Sequence, residues 1–196
     1  MRAFLDTEFT GLHKNTTLVS LGICYDDGSE FYAEFTDYDK SQVDNWLNTN
    51  VVSNLHLDFL GEKGCIVEDE KRMYIRGPKD YVVKELLNWN ERVLKLSEKV
   101  DANKSECQFF NQLEIWSDCL AYDWVLFCDL FGGALKLPKN IYYIPFDICA
   151  LFKTSGIDPD VSREDFAELS SDFKHHALFD ARVIKECFTK LRSEDF

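Results

Sequence analysis

Apolar and polar positions fall into blocks whose spacing changes along the chain, and each change marks an element. Arg2–Asp6 is a short apolar run suited to a buried strand, and Leu18–Tyr25 (LVSLGICY) is a second. Glu30–Phe35 alternates polar and aromatic residues, as a strand with two unlike faces does. Asp26-Asp27-Gly28 lies between the last two runs and reads as a hairpin turn, because Asp and Gly tolerate positive φ. The chain is therefore predicted to open with three antiparallel strands. Ser41 followed by Asp44 predicts a capped short helix through Trp46 and Leu47. Residues 58–79 are polar and carry Gly61, Gly64, Gly77 and Pro78, which predicts loops around a hairpin. Asp80 is expected to cap a helix whose apolar positions are Val82, Val83, Leu86, Leu87, Val93 and Leu94.

A polar connection over 101–108 leads to a strand at Leu113–Trp116 and a helix at Tyr122–Phe131, ended by Gly132-Gly133. Ile141–Ile144 reads as a further strand stopped by Pro145. Helices are expected at 147–153, at 162–170, and from His176 to Leu191. Strands first, then strand and helix in alternation, predict an α/β fold with a mixed central sheet flanked by helices.

Composition narrows the class. The 196 residues fit one domain, 1–196, and 45% apolar with 14% aromatic excludes a disordered acidic chain. No run approaches the length of a membrane span, and Asp6 interrupts the N-terminus, so neither a membrane partner nor a signal peptide is expected. Seven scattered cysteines without a CxxC pair predict reduced thiols in a cytoplasmic protein. The net charge of −13 argues against a broad basic face gripping long nucleic acid. Residues 1–57 hold nine acids against three bases, and 107–196 hold fifteen against nine. Residues 58–106 are nearly balanced, at eleven against ten, and contain the cluster Lys71, Arg72, Arg76 and Lys79. The acidity belongs to the two ends, which points to an anionic site assembled from both.

Three acidic signals and one histidine fill that site. Asp6 and Glu8 end the first strand on the same face, with Thr7 opposite, and two carboxylates pointing together repel unless a cation lies between them. Asp123, in Leu120-Ala121-Tyr122-Asp123, falls in the first turn of a helix; an isolated Asp there serves equally as a dipole partner. Asp118 is its competitor. The run His175-His176-Ala177-Leu178-Phe179-Asp180-Ala181 opens the last helix. His175 reaches the site of Asp180 only from the loop before that helix, since five residues on a continuous helix turn it about 140° away. His176, His13 and His56 are given no primary role.

Together these pieces resemble the DEDDh 3′–5′ exonucleases, and most of all the RNase AS-like 3′–5′ exoribonucleases, with RNase T and oligoribonuclease more distant. The resemblance rests on Asp6-Thr7-Glu8-Phe9, Val19-Ser20-Leu21-Gly22, Ala121-Tyr122-Asp123 running on to Leu130-Phe131-Gly132, and the His175–Ala181 run. It covers about three quarters of the chain, omitting family-variable insertions around 58–79 and 101–110. It implies a ribonuclease H-like (DnaQ-like) fold and removal of nucleoside 5′-monophosphates from single-stranded RNA 3′ ends. Asp6, Glu8, Asp123 and Asp180 would hold two Mg²⁺ or Mn²⁺ ions, with His175 as general base. Phe9, Thr7 and Tyr122 are the expected substrate-binding residues, Phe9 by stacking on the terminal base. A homodimer is implied as well, with the basic cluster at 71–79 as a source of contacts to the partner's site. The rival readings are a DNA exonuclease of the same fold and a catalytically silent module binding RNA or protein. Against the second stands the anionic repulsion that four clustered acids would impose on a fold with no use for them.

Overall fold

Three apolar runs become the centre of one sheet because each can bury both of its faces. A computed structural model describes residues 1–100 and 112–193 of the chain. Strands β1 (Arg2–Phe9), β2 (Leu18–Tyr25) and β3 (Glu30–Phe35) pair antiparallel in chain order, as the turn signals predict. β4 (Gly64–Val67) and β5 (Arg72–Gly77) form the hairpin expected within 58–79, and β5 adds parallel to β3. On the other side, β6 (Glu114–Ser117) and β7 (Phe146–Asp147) extend the sheet in parallel from β1. The order is β4-β5-β3-β2-β1-β6-β7, a seven-stranded mixed sheet.

Helices cover both faces. Ala3 and Leu5 of β1 and Leu21 and Ile23 of β2 point to one side, onto Val82, Leu86, Trp89 and Val93 of α2 (Lys79–Val100) and Phe127 of α3 (Ala121–Leu130). Phe4 points to the other, where it packs with α4 (Ile148–Thr154) and α6 (Ala177–Ser193) through Ile148, Phe152, Val183, Ile184 and Phe188. Two devices seat α6. The Arg182 guanidinium makes two 2.7 Å hydrogen bonds to Glu30 of β3. At Gly22 of β2, a Cβ would lie 2.3 Å from the carbonyl of Ala177 and from the Leu178 nitrogen, so only glycine lets the start of α6 approach the strand.

Several expected boundaries move. Asp44 caps α1 (Asn45–Asn50) through the Leu47 N–H, whereas Ser41 lies in a separate 3₁₀ turn capped by Asp39. Asp80 does not cap α2: the helix begins at Lys79, and the Asp37 carboxylate, distant in sequence, receives the Lys79 N–H. Ile141–Ile144 is not a strand. Ile141 makes one isolated bridge to Leu113, Tyr143 and Ile144 are exposed, and the strand forms past Pro145, where Phe146 pairs with and stacks on Trp116. The helix expected over 162–170 is α5 (Arg163–Ala167), which stops because Glu168 turns left-handed at φ 58°. The last helix starts at Ala177, with His176 outside it. The connection and insertion expected over 101–110 lie outside the described residues.

The basic cluster is not a free cationic patch. Lys71 pairs with Asp27 at 3.0 Å, Arg72 with Asp69 at 2.7 Å, Arg76 with Glu34 at 3.6 Å and Lys79 with Asp129 at 2.6 Å. Acids of the same chain, brought close by the sheet, neutralise all four. Among the described residues, no helix is long and apolar enough to cross a membrane.

Candidate active site

The alternation of β1 divides its C-terminal end between the two faces. Asp6 and Glu8 share the face of Phe4 and meet Asp180, which α6 presents from its first turn. One carboxylate oxygen from each of the three lies within 4.8 Å of the others. Thr7 points the opposite way, toward α3. Its N–H and hydroxyl donate to one oxygen of Asp123, at 3.0 and 2.5 Å. Asp123 is buried and lines the same cleft, outside the tight group of three. The sequence therefore brings Asp6, Glu8, Asp123 and Asp180 to one cleft, and the structure adds Thr7 as the group that fixes Asp123.

His175 sits in the loop before α6, where the sequence requires it to be, in a left-handed conformation at φ 63° that is costly for a residue with a Cβ. Asn54 holds that loop by donating its side-chain amide to the Lys174 and His175 carbonyls, at 3.1 and 3.2 Å. The His175 Nδ1 lies 3.9 Å from Glu8 Oε1, and the edge of Trp46 closes on its ring at 5.2 Å between centroids. His176 faces away. Its ring clusters with Tyr32 and His56, each stacked on the other two, and its Nδ1 accepts the Phe179 N–H at 3.3 Å, which caps α6. Its Nε2 lies 3.3 Å from His56 Nδ1, so His176 is neutral and carries its proton on Nε2.

Protonation in the cleft follows from burial and crowding. Burial first, then the charges of Asp180 and Asp123, pushes the Glu8 carboxyl up to about 8. Asp6 is raised as well, by burial and then by Asp180, Asp123 and Glu8. Burial followed by Glu164 raises Asp180, and burial raises Asp123 against the opposing hydrogen bonds from Thr7. His175 is shifted the other way: burial and then Lys174 lower it, which keeps the imidazole neutral near pH 7.

Among the described residues, no lysine or arginine pairs with Asp6, Glu8, Asp123 or Asp180. Crowded carboxylates with no lysine or arginine in salt-bridge contact, presenting hard oxygen donors, fit Mg²⁺ or Mn²⁺. Asp118 is diverted from that role. It accepts from Arg163 Nη2 at 3.0 Å and from the Cys149 thiol at 3.0 Å.

Phe9 and Tyr122 stack on each other, with centroids 5.4 Å apart and planes 19° from parallel, at one wall of the cleft. Thr7 also lines the cleft but is buried with its hydroxyl committed to Asp123. Sequence reasoning missed Arg163 and Lys174, the two basic side chains lining the cleft, and Trp46. Lys174 precedes the histidine doublet and could have been flagged by that adjacency. Arg163 and Trp46 have no local signal, because their contacts cross long stretches of chain.

The family model for the 3′-5′ exoribonuclease Rv2179c-like domain matches residues 1–191. Two proteins from Mycobacterium tuberculosis are each 27% identical over 199 residues, covering all of this chain and 95% of their own length. They are the 3′-5′ exoribonuclease Rv2179c of strain ATCC 25618 / H37Rv and the 3′-5′ exoribonuclease MT2234.1 of strain CDC 1551 / Oshkosh. The chain belongs to the Rv2179c-like 3′-5′ exoribonuclease domain family.

Proposed function

We propose that this member of the Rv2179c-like family is a metal-dependent 3′–5′ exoribonuclease of the DEDDh type, with a ribonuclease H-like fold. It removes nucleoside 5′-monophosphates from single-stranded RNA 3′ ends. The observation that carries the reading is the convergence of Asp6, Glu8 and Asp180 within 4.8 Å, with His175 Nδ1 3.9 Å from Glu8. Asp6, Glu8, Asp123 and Asp180 would hold two Mg²⁺ or Mn²⁺ ions. When bound, such a pair lowers the pKa of a water and stabilises the leaving 3′-oxygen of an in-line displacement.

The chain's own residues do the rest. His175, kept neutral by burial, takes the proton of the attacking water at the Nδ1 edge that faces the carboxylates. Its loop is fixed by Asn54, so the base is oriented before substrate arrives. Thr7 holds one oxygen of Asp123 and so fixes that carboxylate at the wall of the cleft. The Phe9–Tyr122 pair offers an aromatic face to the terminal base, which binds single strands with little sequence information. The excess of acid elsewhere limits the grip to a short 3′ end.

A homodimer stays part of the proposal. Its basic contacts to a partner's site would come from residues outside the 71–79 cluster, which is paired within its own chain. A cytoplasmic setting fits the six free thiols among the described residues. The test is RNA labelled at the 5′ end, incubated with Mn²⁺ or Mg²⁺ and wild type, Asp6→Ala or His175→Ala. Wild type is expected to give a ladder shortening from the 3′ end, and both variants to lose it. Equal cleavage by all three overturns the site assignment.

A further inference from the structure

A pair of thiols lies at the edge of the cleft, beside Asp118 and outside the Asp6, Glu8 and Asp180 group. Cys119 is in the turn between β6 and α3, Cys149 is in the first turn of α4, and their sulfurs are 3.5 Å apart. Cys119 is exposed and held left-handed at φ 48°, an unusual conformation for a residue with a Cβ. Cys149 is half-buried, and its thiol donates to Asp118 Oδ1 at 3.0 Å. Arg163 Nη2 reaches the same sulfur at 3.1 Å and the same carboxylate oxygen at 3.0 Å.

We infer that Cys119 and Cys149 close a reversible disulfide when the protein meets a peroxide. Cys119, the exposed partner, is the thiol that reaches the oxidant. Its thiolate attacks one peroxide oxygen and the O–O bond breaks. The sulfur becomes a sulfenic acid, and the departing oxygen takes up a proton and leaves as water. The Cys149 sulfur then attacks the Cys119 sulfur while its proton passes to Asp118. The S–O bond breaks, and the departing hydroxide takes that proton from Asp118 and leaves as a second water. Two thiols and one peroxide thus give one disulfide and two waters. Burial, then the hydrogen bond to Asp118, pushes the Cys149 thiol up to about 12, so its proton leaves only as the S–S bond forms, with the Arg163 guanidinium facing the sulfur. The same arginine argues against a cation on Asp118, Cys119 and Cys149, because it already occupies two of those three groups.

Bond formation draws the sulfurs from 3.5 Å to about 2.05 Å, so the β6–α3 turn is pulled toward α4. Tyr122 and Asp123 follow Cys119 within four residues, so their presentation to the cleft shifts with it. The consequence for RNA cleavage rests on the exoribonuclease reading; the disulfide itself does not.

The experiment treats reduced full-length protein with equimolar hydrogen peroxide, alkylates the remaining thiols, and maps the digest by mass spectrometry. A cross-link between the Cys119 and Cys149 peptides is expected, two hydrogens lighter than the free thiols and lost with dithiothreitol. In Cys149→Ser, the Cys119 sulfenic acid is expected to persist and be captured by dimedone. Both thiols remaining alkylatable, or Cys119 cross-linked instead to another cysteine, overturns the proposal. Peroxide is expected to lower wild-type RNA cleavage several-fold, reversibly, and to spare Cys149→Ser from that reversible loss. A cross-link with unchanged cleavage overturns the coupling to the cleft and leaves the exoribonuclease reading standing. Absence of RNA cleavage before oxidation counts against that reading alone, because the thiol map does not depend on it.

Discussion

Thr7 gives its backbone N–H and its hydroxyl to a single oxygen of Asp123, from 116 residues away in the chain. The same strand presents Asp6 and Glu8 on its opposite face. One three-residue stretch of β1, Asp6-Thr7-Glu8, therefore supplies two carboxylates directly and fixes a third through Thr7, tying the sheet to α3. The hydroxyl contact matters because Asp123 is buried, and a buried carboxylate without donors is driven toward its neutral form.

Thr7→Val keeps the shape of the side chain and removes one of the two donors. Loss of a hydrogen bond to a charged acceptor costs about 1.5–3 kcal/mol, and loss of such support around a metal ligand costs about 10–100-fold in affinity or activity. The variant is expected to need correspondingly more Mn²⁺ for half-maximal RNA cleavage, with Thr7→Ser close to wild type. A titration of rate against Mn²⁺ reads this directly. An unchanged requirement removes Thr7 from the support of Asp123.

What was legible in the sequence was local. Strand alternation places Asp6 and Glu8 together and Thr7 opposite, and helical geometry forces His175 into the loop before α6. What was hidden depends on contacts between distant segments. Nothing near Lys79 announces that Asp37 caps α2. Nothing near Arg76 or Lys79 announces Glu34 and Asp129, so a sequence cluster of bases looked free when each was paired. Residues 141–144 carried the apolar signal of a strand, but the pairing went to Phe146, whose ring could stack on Trp116. Asp118 and Asp123 were indistinguishable by type, and Arg163 separated them by claiming Asp118.

Gly22→Ala tests how tightly α6 is seated. The new Cβ meets backbone atoms of Ala177 and Leu178 at 2.3 Å, which no rotamer change relieves. Overpacking of this kind costs about 1–3 kcal/mol, and rigid backbone on the far side puts the expected loss at the upper end. Because the displaced segment lies between His175 and Asp180, cleavage is expected to fall by about 100-fold, the scale of a 1 Å misplacement. Thermal unfolding alongside RNA cleavage measures both. A variant as stable and active as wild type shows that the start of α6 is free to yield.

His176 predicts a loss of stability in acid. Burial, then the neighbouring His56, lowers its pKa from 6.5 to about 4. Between those values the unfolded chain binds the proton and the native protein does not, so stability falls as pH drops from about 6.5 toward about 4. His176→Asn keeps a residue able to cap α6 and removes the titration. The difference in Tm between wild type and this variant is expected to shift against wild type across that interval. A pH-independent difference indicates that His176 titrates alike in the folded and unfolded chain.

The carboxylates predict the opposite slope, and a cation should reverse it. In the metal-free protein Glu8 is raised from 4.5 to about 8, and Asp6, Asp123 and Asp180 are raised from 3.8. Between about 4 and about 8 the native protein holds protons that the unfolded chain has already released. Their contribution therefore lowers stability as pH rises through this window. Mg²⁺ or Mn²⁺ competes for the same oxygens, so its binding releases protons and strengthens as pH rises. With chelator present, Tm is expected to fall between about pH 6.5 and about pH 8, above the range where His176 opposes the trend. The Tm gain on adding Mn²⁺ is expected to grow over the same interval, and Glu8→Gln to flatten both trends. Calorimetric titration with Mn²⁺ in two buffers of different ionisation enthalpy counts the protons released. Zero release near pH 7 would mean that the four carboxylates are already ionised, and that burial and mutual repulsion do not govern the cleft.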